Sequence, residues 1–206
     1  MANVDSPFGL RPVRGANGQP YNGGTNPYYI PASYGTALFI GDPVVKTGTA
    51  NTAAVSVPGA GEFGIGTMPE INKAAAGDND QITGVIVSFS PDPSALDNEY
   101  NPASTERVAN VCDDPNVLFT IQADAAPTNT GDIYGKNTLL IQTAPNTTLN
   151  VSRVALDISE ISTDAQNPIR IIDYLGGDQG DEKGTTYPIL VCKFNYHQHT
   201  STTGSA

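Results

Sequence analysis

Glycine and proline punctuate this chain so densely that few stretches of it can form a helix. There are 21 glycines and 16 prolines among the 206 residues. Proline removes an amide donor and breaks helix and central strand alike, while each glycine adds backbone entropy to the unfolded chain. Between these breakers lie short apolar runs rich in Val, Ile, Phe and Thr, side chains that suit a pleated surface. The pattern predicts an all-β fold, with a β-sandwich or β-barrel body of jelly-roll or tulip-like type. A hydrophobic fraction of 38% is ample for a core at this length. No internal repeat of fixed period is visible.

Three divisions follow from composition. Residues 1–35 read as an extended N-terminal arm. Residues 36–199 form the β body, which can be split into two small lobes joined near 91–104. Residues 200–206 read as a disordered tail. Within the body, residues 36–45 predict a strand, a turn at Gly41, Asp42 and Pro43, and the start of a second strand. Residues 46–57 suggest a weakly packed edge hairpin, and 63–67 a glycine-rich strand in close backbone contact. Gly77 is a candidate C-cap after Lys73 and three alanines. Residues 81–90 are a strong strand, with Val85, Val87 and Phe89 on one face and Ile86 and Ser88 on the other. Residues 107–112 and 117–123 flank Asp113, Asp114, Pro115 and Asn116, a type I turn that would join them as a hairpin. Residues 139–142, 168–175 and 188–196 read as further strands. Residues 151–161 fit helix and strand periods alike, and their serines and β-branched residues tilt them toward strand.

The first 35 residues combine five prolines (Pro7, Pro12, Pro20, Pro27, Pro31) with Phe8, Leu10, Val13, Tyr21, Tyr28, Tyr29, Ile30 and Tyr34. A flexible linker lacks such anchors. An arm laid along a surface fits both facts, and that surface is its own body, a neighbouring copy or another protein. Charge adds to this. The net charge is −11 overall, which disfavours nucleic acid and anionic membranes as partners. Arg11 and Arg14 against Asp5 leave residues 1–41 net basic in an otherwise acidic sequence. Pro7, Phe8, Leu10, Arg11, Pro12, Arg14, Tyr28 and Tyr29 are therefore the candidate partner-binding residues. The aromatic and aliphatic side chains would fill pockets and the arginines would pair with carboxylates.

Catalytic signals are sparse. His197 and His199 have a spacing that can hold a metal on an extended backbone, but no third ligand lies nearby. Asp178, Asp181 and Glu182 lie on a glycine-rich loop without the alternating pattern of a calcium loop. Asp113 and Asp114 are explained by turn capping. Cys112 and Cys192 sit in apolar runs and read as buried thiols, with a disulfide as the alternative. Asn146 and Asn150 open sequons that read as turn residues, since the polar, acidic start predicts no secretory signal. No apolar run approaches the ~18 residues of a membrane span. No nucleophile with a base, phosphate loop or dinucleotide fingerprint appears, so neither enzyme activity nor a cofactor is expected.

The opening from Asp5 to Val13 (DSPFGLRPV), then Tyr28 to Pro31, Ser33 to Thr36 and Gly41 to Val45, resembles tailed-bacteriophage head decoration (capsid cement) proteins. Lys73 to Gly77 followed by Ile82 to Ile86 is similar to the β-barrel part of such proteins. The likeness is densest over residues 5–45 and only pattern-like beyond residue 90. It implies a non-enzymatic protein made in the host cytoplasm and carried on the outer surface of the virion's capsid. Its implied partners are the major capsid protein and further copies of itself. The alternatives are a major coat protein, though no long spine helix is visible, or a tail or fibre component. A carbohydrate-binding β-sandwich is a further one, against which the absence of tryptophan counts. The two tail histidines barely support a metal-dependent jelly-roll enzyme.

Overall fold

A computed structural model describes residues 3–92, 95–127, 133–176 and 184–201. Its secondary structure is all β, as the punctuation predicts, and no helix occurs among the described residues. Five strands close into a barrel: β2 (Asn26–Ile30), β6 (Pro69–Lys73), β3 (Pro43–Ala50), β7 (Gly84–Phe89) and β8 (Arg107–Cys112), in that order. The neighbours are antiparallel except β2 and β6, which meet in parallel at Tyr29 and Glu70. A second, open sheet has the order β1 (Arg11–Gly15), β9 (Val117–Gln122), β14 (Ile189–Phe194), β13 (Ile169–Tyr174) and β10 (Asn137–Thr138). Two hairpins complete the fold, β4 (Val55–Val57) with β5 (Gly61–Phe63) and β11 (Leu140–Asn146) with β12 (Val151–Leu156).

Each architecture has its own core. Val44, Ile71, Ile86, Ala109 and Val111 fill the barrel together with Tyr28, Ile30 and Leu38. The larger core joins Phe119, Ile121, Ile169, Ile171 and Leu190 of the open sheet to Val154 and Leu156 of β12. Ile82, Val85 and Cys112 from the barrel side enter that same core, so one flank of the barrel packs on the sheet. The first hairpin covers the opposite flank, over Tyr29, Met68 and Val108. With both faces covered, the barrel strands lose the simple alternation of a half-exposed sheet. In β7, Val85 enters the larger core and Ile86 the barrel, but a bulge between Ile86 and Ser88 resets the register. Phe89 therefore leans on the barrel core with Ile86, not on the face of Val85 and Val87 expected from strict alternation.

Several local expectations change. The turn at 113–116 forms, with the Asn116 amide donating to Asp114 Oδ1 (2.8 Å) and the Val117 amide to the Asp114 carbonyl (3.2 Å). It does not close a hairpin, because β8 pairs with β2 and β7 while β9 pairs with β1 and β14. It is the passage from barrel to open sheet, whereas residues 91–92 and 95–104 stay on the barrel side, where Leu38 bridges Asn101. The edge hairpin of 46–57 is displaced to 55–63, and 64–67 turns instead of continuing as strand. Gly77 caps no helix, and its amide donates to Asp80 Oδ2 (2.9 Å). Residues 151–156 are strand, as their composition favoured.

Both termini of the described fold are tied down. Residues 11–15 and 26–30, read as parts of an arm, are strands of the two sheets, so of the three candidate surfaces the segment lies on its own body. Pro12 is tolerated because β1 is an edge strand with a bulge between Pro12 and Arg14. At the other end, His197 bridges Ile82, the Gln198 amide donates to the Ile82 carbonyl (3.0 Å), and the Ser201 amide donates to the His197 carbonyl (2.9 Å). The tail is ordered through Ser201; residues 202–206, with Asp178, Asp181 and Glu182, lie outside the described residues.

Candidate functional site

The two motifs that dominate the N-terminal region meet in space. Gly9 and Gly41 both adopt positive φ, 74° and 93°. A Cβ on Gly9 would stand 2.5 Å from the Gly41 carbonyl oxygen, and one on Gly41 would stand 2.8 Å from that of Phe8. Only glycine permits both the conformation and the approach. The Leu10 amide donates to the Gly41 carbonyl (2.9 Å), and Leu10 is buried in the larger core. Beside them Asp42 is fully buried. It accepts from the Phe39 amide (2.9 Å) and the Ser152 hydroxyl (2.6 Å), and pairs with Lys73 Nζ at 3.0 Å. The node thus ties the N-terminal segment, the barrel strands β3 and β6, and β12 into one body.

What remains exposed of the candidate binding residues is a strip along β1. The Arg11 guanidinium lies 4.4 Å from the centroid of the half-buried Phe8 ring, a cation–π contact that fixes the direction of the charge. Pro12 is half-buried, Val13 is 40% exposed and Arg14 is exposed. Among the described residues the ion pair of Lys73 and Asp42 is the only one, so both arginines are without a carboxylate partner there. The outer backbone edge of β1 is covered, since the Tyr21 amide donates to the Val13 carbonyl (3.1 Å) and Arg14 bridges Pro20. Side chains, not a free strand edge, are what this surface offers.

The other candidates face inward. Pro7 and Leu10 are buried. Tyr28 and Tyr29 are buried against the barrel, the Tyr28 hydroxyl donating to Asp113 Oδ2 (2.7 Å) and that of Tyr29 to Glu106 Oε2 (2.9 Å). Burial, then the hydrogen bond to Glu106, pushes the Tyr29 phenol up to about 12; burial and Asp113 push Tyr28 higher. In this fold these four brace the body and are not available as anchors. Aromatic residues in a proline-rich segment look alike in sequence whether they bury against self or against a partner.

An open cleft of about 620 Å³ adjoins the strip, lined by Asn17, Gln19, Tyr21, Asn22, Asp114 and Asn116. Of these Tyr21 was among the expected anchors and Asp114 and Asn116 among the turn residues; no sequence signal singles out Asn17, Gln19 or Asn22 as lining residues. His197 is buried, with Nδ1 accepting from the His199 amide (3.0 Å) and Nε2 without a hydrogen-bond partner. Burial first, then His199, lowers its pKa to about 4. Among the described residues no group of three or more His, Cys, Asp and Glu is arranged to hold a metal. Cys112 and Cys192 are free, buried thiols, both raised by burial, Cys112 to about 11. Among the described residues no helix is long and apolar enough to cross a membrane. Neither protein-family models, nor curated proteins, nor solved structures yield a match to this sequence.

Proposed function

We propose that this protein is a non-enzymatic structural subunit that binds the outside of an icosahedral phage capsid and reinforces the lattice of its major capsid protein. The observation that carries the reading is the exposed basic strip of Phe8, Arg11, Pro12 and Arg14 on an otherwise acidic body. It coincides with the segment whose sequence most resembles decoration proteins. Arginines with no carboxylate partner among the described residues, one of them stacked on an aromatic ring, are the groups that strong interfaces favour. They fit a carboxylate-bearing face of the shell or of a neighbouring copy, and the acidic remainder stays in solvent. A rigid node behind the strip lets load on the strip pass to both sheets.

The cleft favours a second reading. Its amides and the Tyr21 ring suit neutral carbohydrate, whose hydroxyl pairs match planar amide groups.

Removal of residues 1–35 would delete β1 and β2 and unfold the body, so the test uses point variants. Phage capsids stripped of the protein are mixed with the full-length protein or with the Arg11→Glu/Arg14→Glu variant, and co-sedimentation and shell resistance to heating are measured. Binding by the full-length protein and loss in the variant support the reading. A full-length protein that leaves capsids untouched removes the capsid role, and a variant that binds equally well removes the strip.

A further inference from the structure

The sequence has two Asn-Gly steps, Asn17 to Gly18 and Asn22 to Gly23, both exposed in the loop that borders the cleft. Glycine after asparagine leaves the following amide nitrogen unshielded by a Cβ, so it can reach the asparagine side chain. The structure sets the two steps apart. At the first, the Gly18 amide donates to the Gly15 carbonyl (2.9 Å), and Asn17 Oδ1 accepts from the Gln19 amide (3.2 Å). Asn17 Oδ1 lies close over Gly15, 2.6 Å from where a Cβ on that residue would stand, so its side chain is folded back from the Gly18 amide. Nucleophile and electrophile are both occupied.

At the second step neither is. Among the described residues the Gly23 amide and the Asn22 side chain have no hydrogen-bond partner. Gly23 has a φ of 84° and open space where a Cβ would be. Asn22 leans forward along the backbone, its Oδ1 3.9 Å from the place of a Cβ on Gly24. The Tyr21 hydroxyl donates to the Gly24 carbonyl (2.9 Å), which keeps residues 21–24 compact around the step.

We infer that Asn22 is a self-modification site, at which the protein deamidates without an enzyme while Asn17 is protected. Hydroxide removes the Gly23 amide proton, and that nitrogen attacks Asn22 Cγ. The new N–C bond forms as the bond between Cγ and Nδ2 breaks, and Nδ2 leaves as ammonia after taking up a proton. Water then opens the succinimide ring on either side, giving aspartate or isoaspartate at position 22. No oxidant or cofactor is consumed. The product places a carboxylate in the cleft that Asp114 also lines and cancels the net positive charge of residues 1–41.

The purified full-length protein is aged in mildly alkaline buffer at physiological temperature and mapped by peptide mass spectrometry. A gain of about one dalton is expected at position 22, several-fold faster than at position 17, with one added negative charge in isoelectric focusing. The Asn22→Gln variant, whose extra methylene makes ring closure far slower, loses this fast gain while its circular dichroism stays that of the parent. No gain at position 22, or equal rates at the two positions, overturns the inference. The readout is a mass and does not depend on capsid docking, so either reading can fail without the other.

Discussion

The closed barrel and the open sheet handle their margins in opposite ways. The barrel has no free edge, and its flanks are covered by the open sheet on one side and the β4–β5 hairpin on the other. The open sheet ends in β1, a bulged, proline-bearing strand that carries the exposed Arg11 and Arg14, neither with a carboxylate partner among the described residues. Closure removes edges and leaves little to recognise, whereas an edge strand, blunted against aggregation by proline, bulge and charge, still presents side chains. Stability then rests on the seam between the two sheets, and under the proposed capsid role the sheet margin is the part that would meet the partner.

The severest way to break that division is at the seam. Asp42→Ala removes the acceptor of three contacts and leaves Lys73, whose side chain is only 15% exposed, without its counter-charge. Loss of one partner of a buried pair costs about 3–5 kcal/mol, and urea denaturation should show barrel and sheet unfolding together. Separate transitions would mean that the seam does not couple them.

Acid probes the same seam from the C-terminal side. His197 packs against Phe194 at 5.6 Å between ring centroids and bridges Ile82, and its pKa falls from an ordinary 6.5 to about 4. The unfolded state takes up the proton first as pH drops, so stability is full above 6.5 and declines down to about 4. At 1.36 kcal/mol per unit the decline amounts to roughly 3 kcal/mol. His197→Gln should flatten the profile of thermal midpoint against pH in that window; an unchanged slope would assign the acid sensitivity to other groups.

Much of this was legible in sequence, but unevenly. Strand identity at 84–89, 169–174 and 189–194 followed from alternation and the breakers around it. Pairing did not, because an Asx turn such as that at Asp114 serves a hairpin and a crossover equally. β6, which closes the barrel, begins with proline and has a single fully buried side chain, Ile71, so no periodic signal marks it. The basic character of the strip was visible from Arg11 and Arg14; its separation from the buried Tyr28 and Tyr29 required the fold. The role of Gly9 and Gly41 was invisible for a similar reason, since a close approach between residues so far apart leaves no local pattern.

A milder test compares the two tyrosines with the strip. Tyr28→Phe removes the hydroxyl bonded to Asp113, which Asn26 Nδ2 also reaches at 2.9 Å, so the carboxylate keeps a donor. About 1 kcal/mol of stability should be lost, as for a typical hydrogen bond, with capsid co-sedimentation unchanged. A loss of docking with intact stability would return Tyr28 to the binding surface.

The smallest effect on stability and the sharpest on recognition should come from Arg11→Ala with Arg14→Ala. Both side chains are exposed and, among the described residues, without a carboxylate partner, so the stability change should stay within about 0.5 kcal/mol. Arg11 gives up its contact with Phe8, and that loss belongs to the unbound strip as much as to the bound one. Docking, by contrast, should weaken by about tenfold or more, with a shallower dependence on salt because fewer charges are screened. Co-sedimentation measured across a salt series separates the two cases. If docking falls while its salt slope stays that of the parent, the arginines act by packing and the partner surface there is apolar, not acidic.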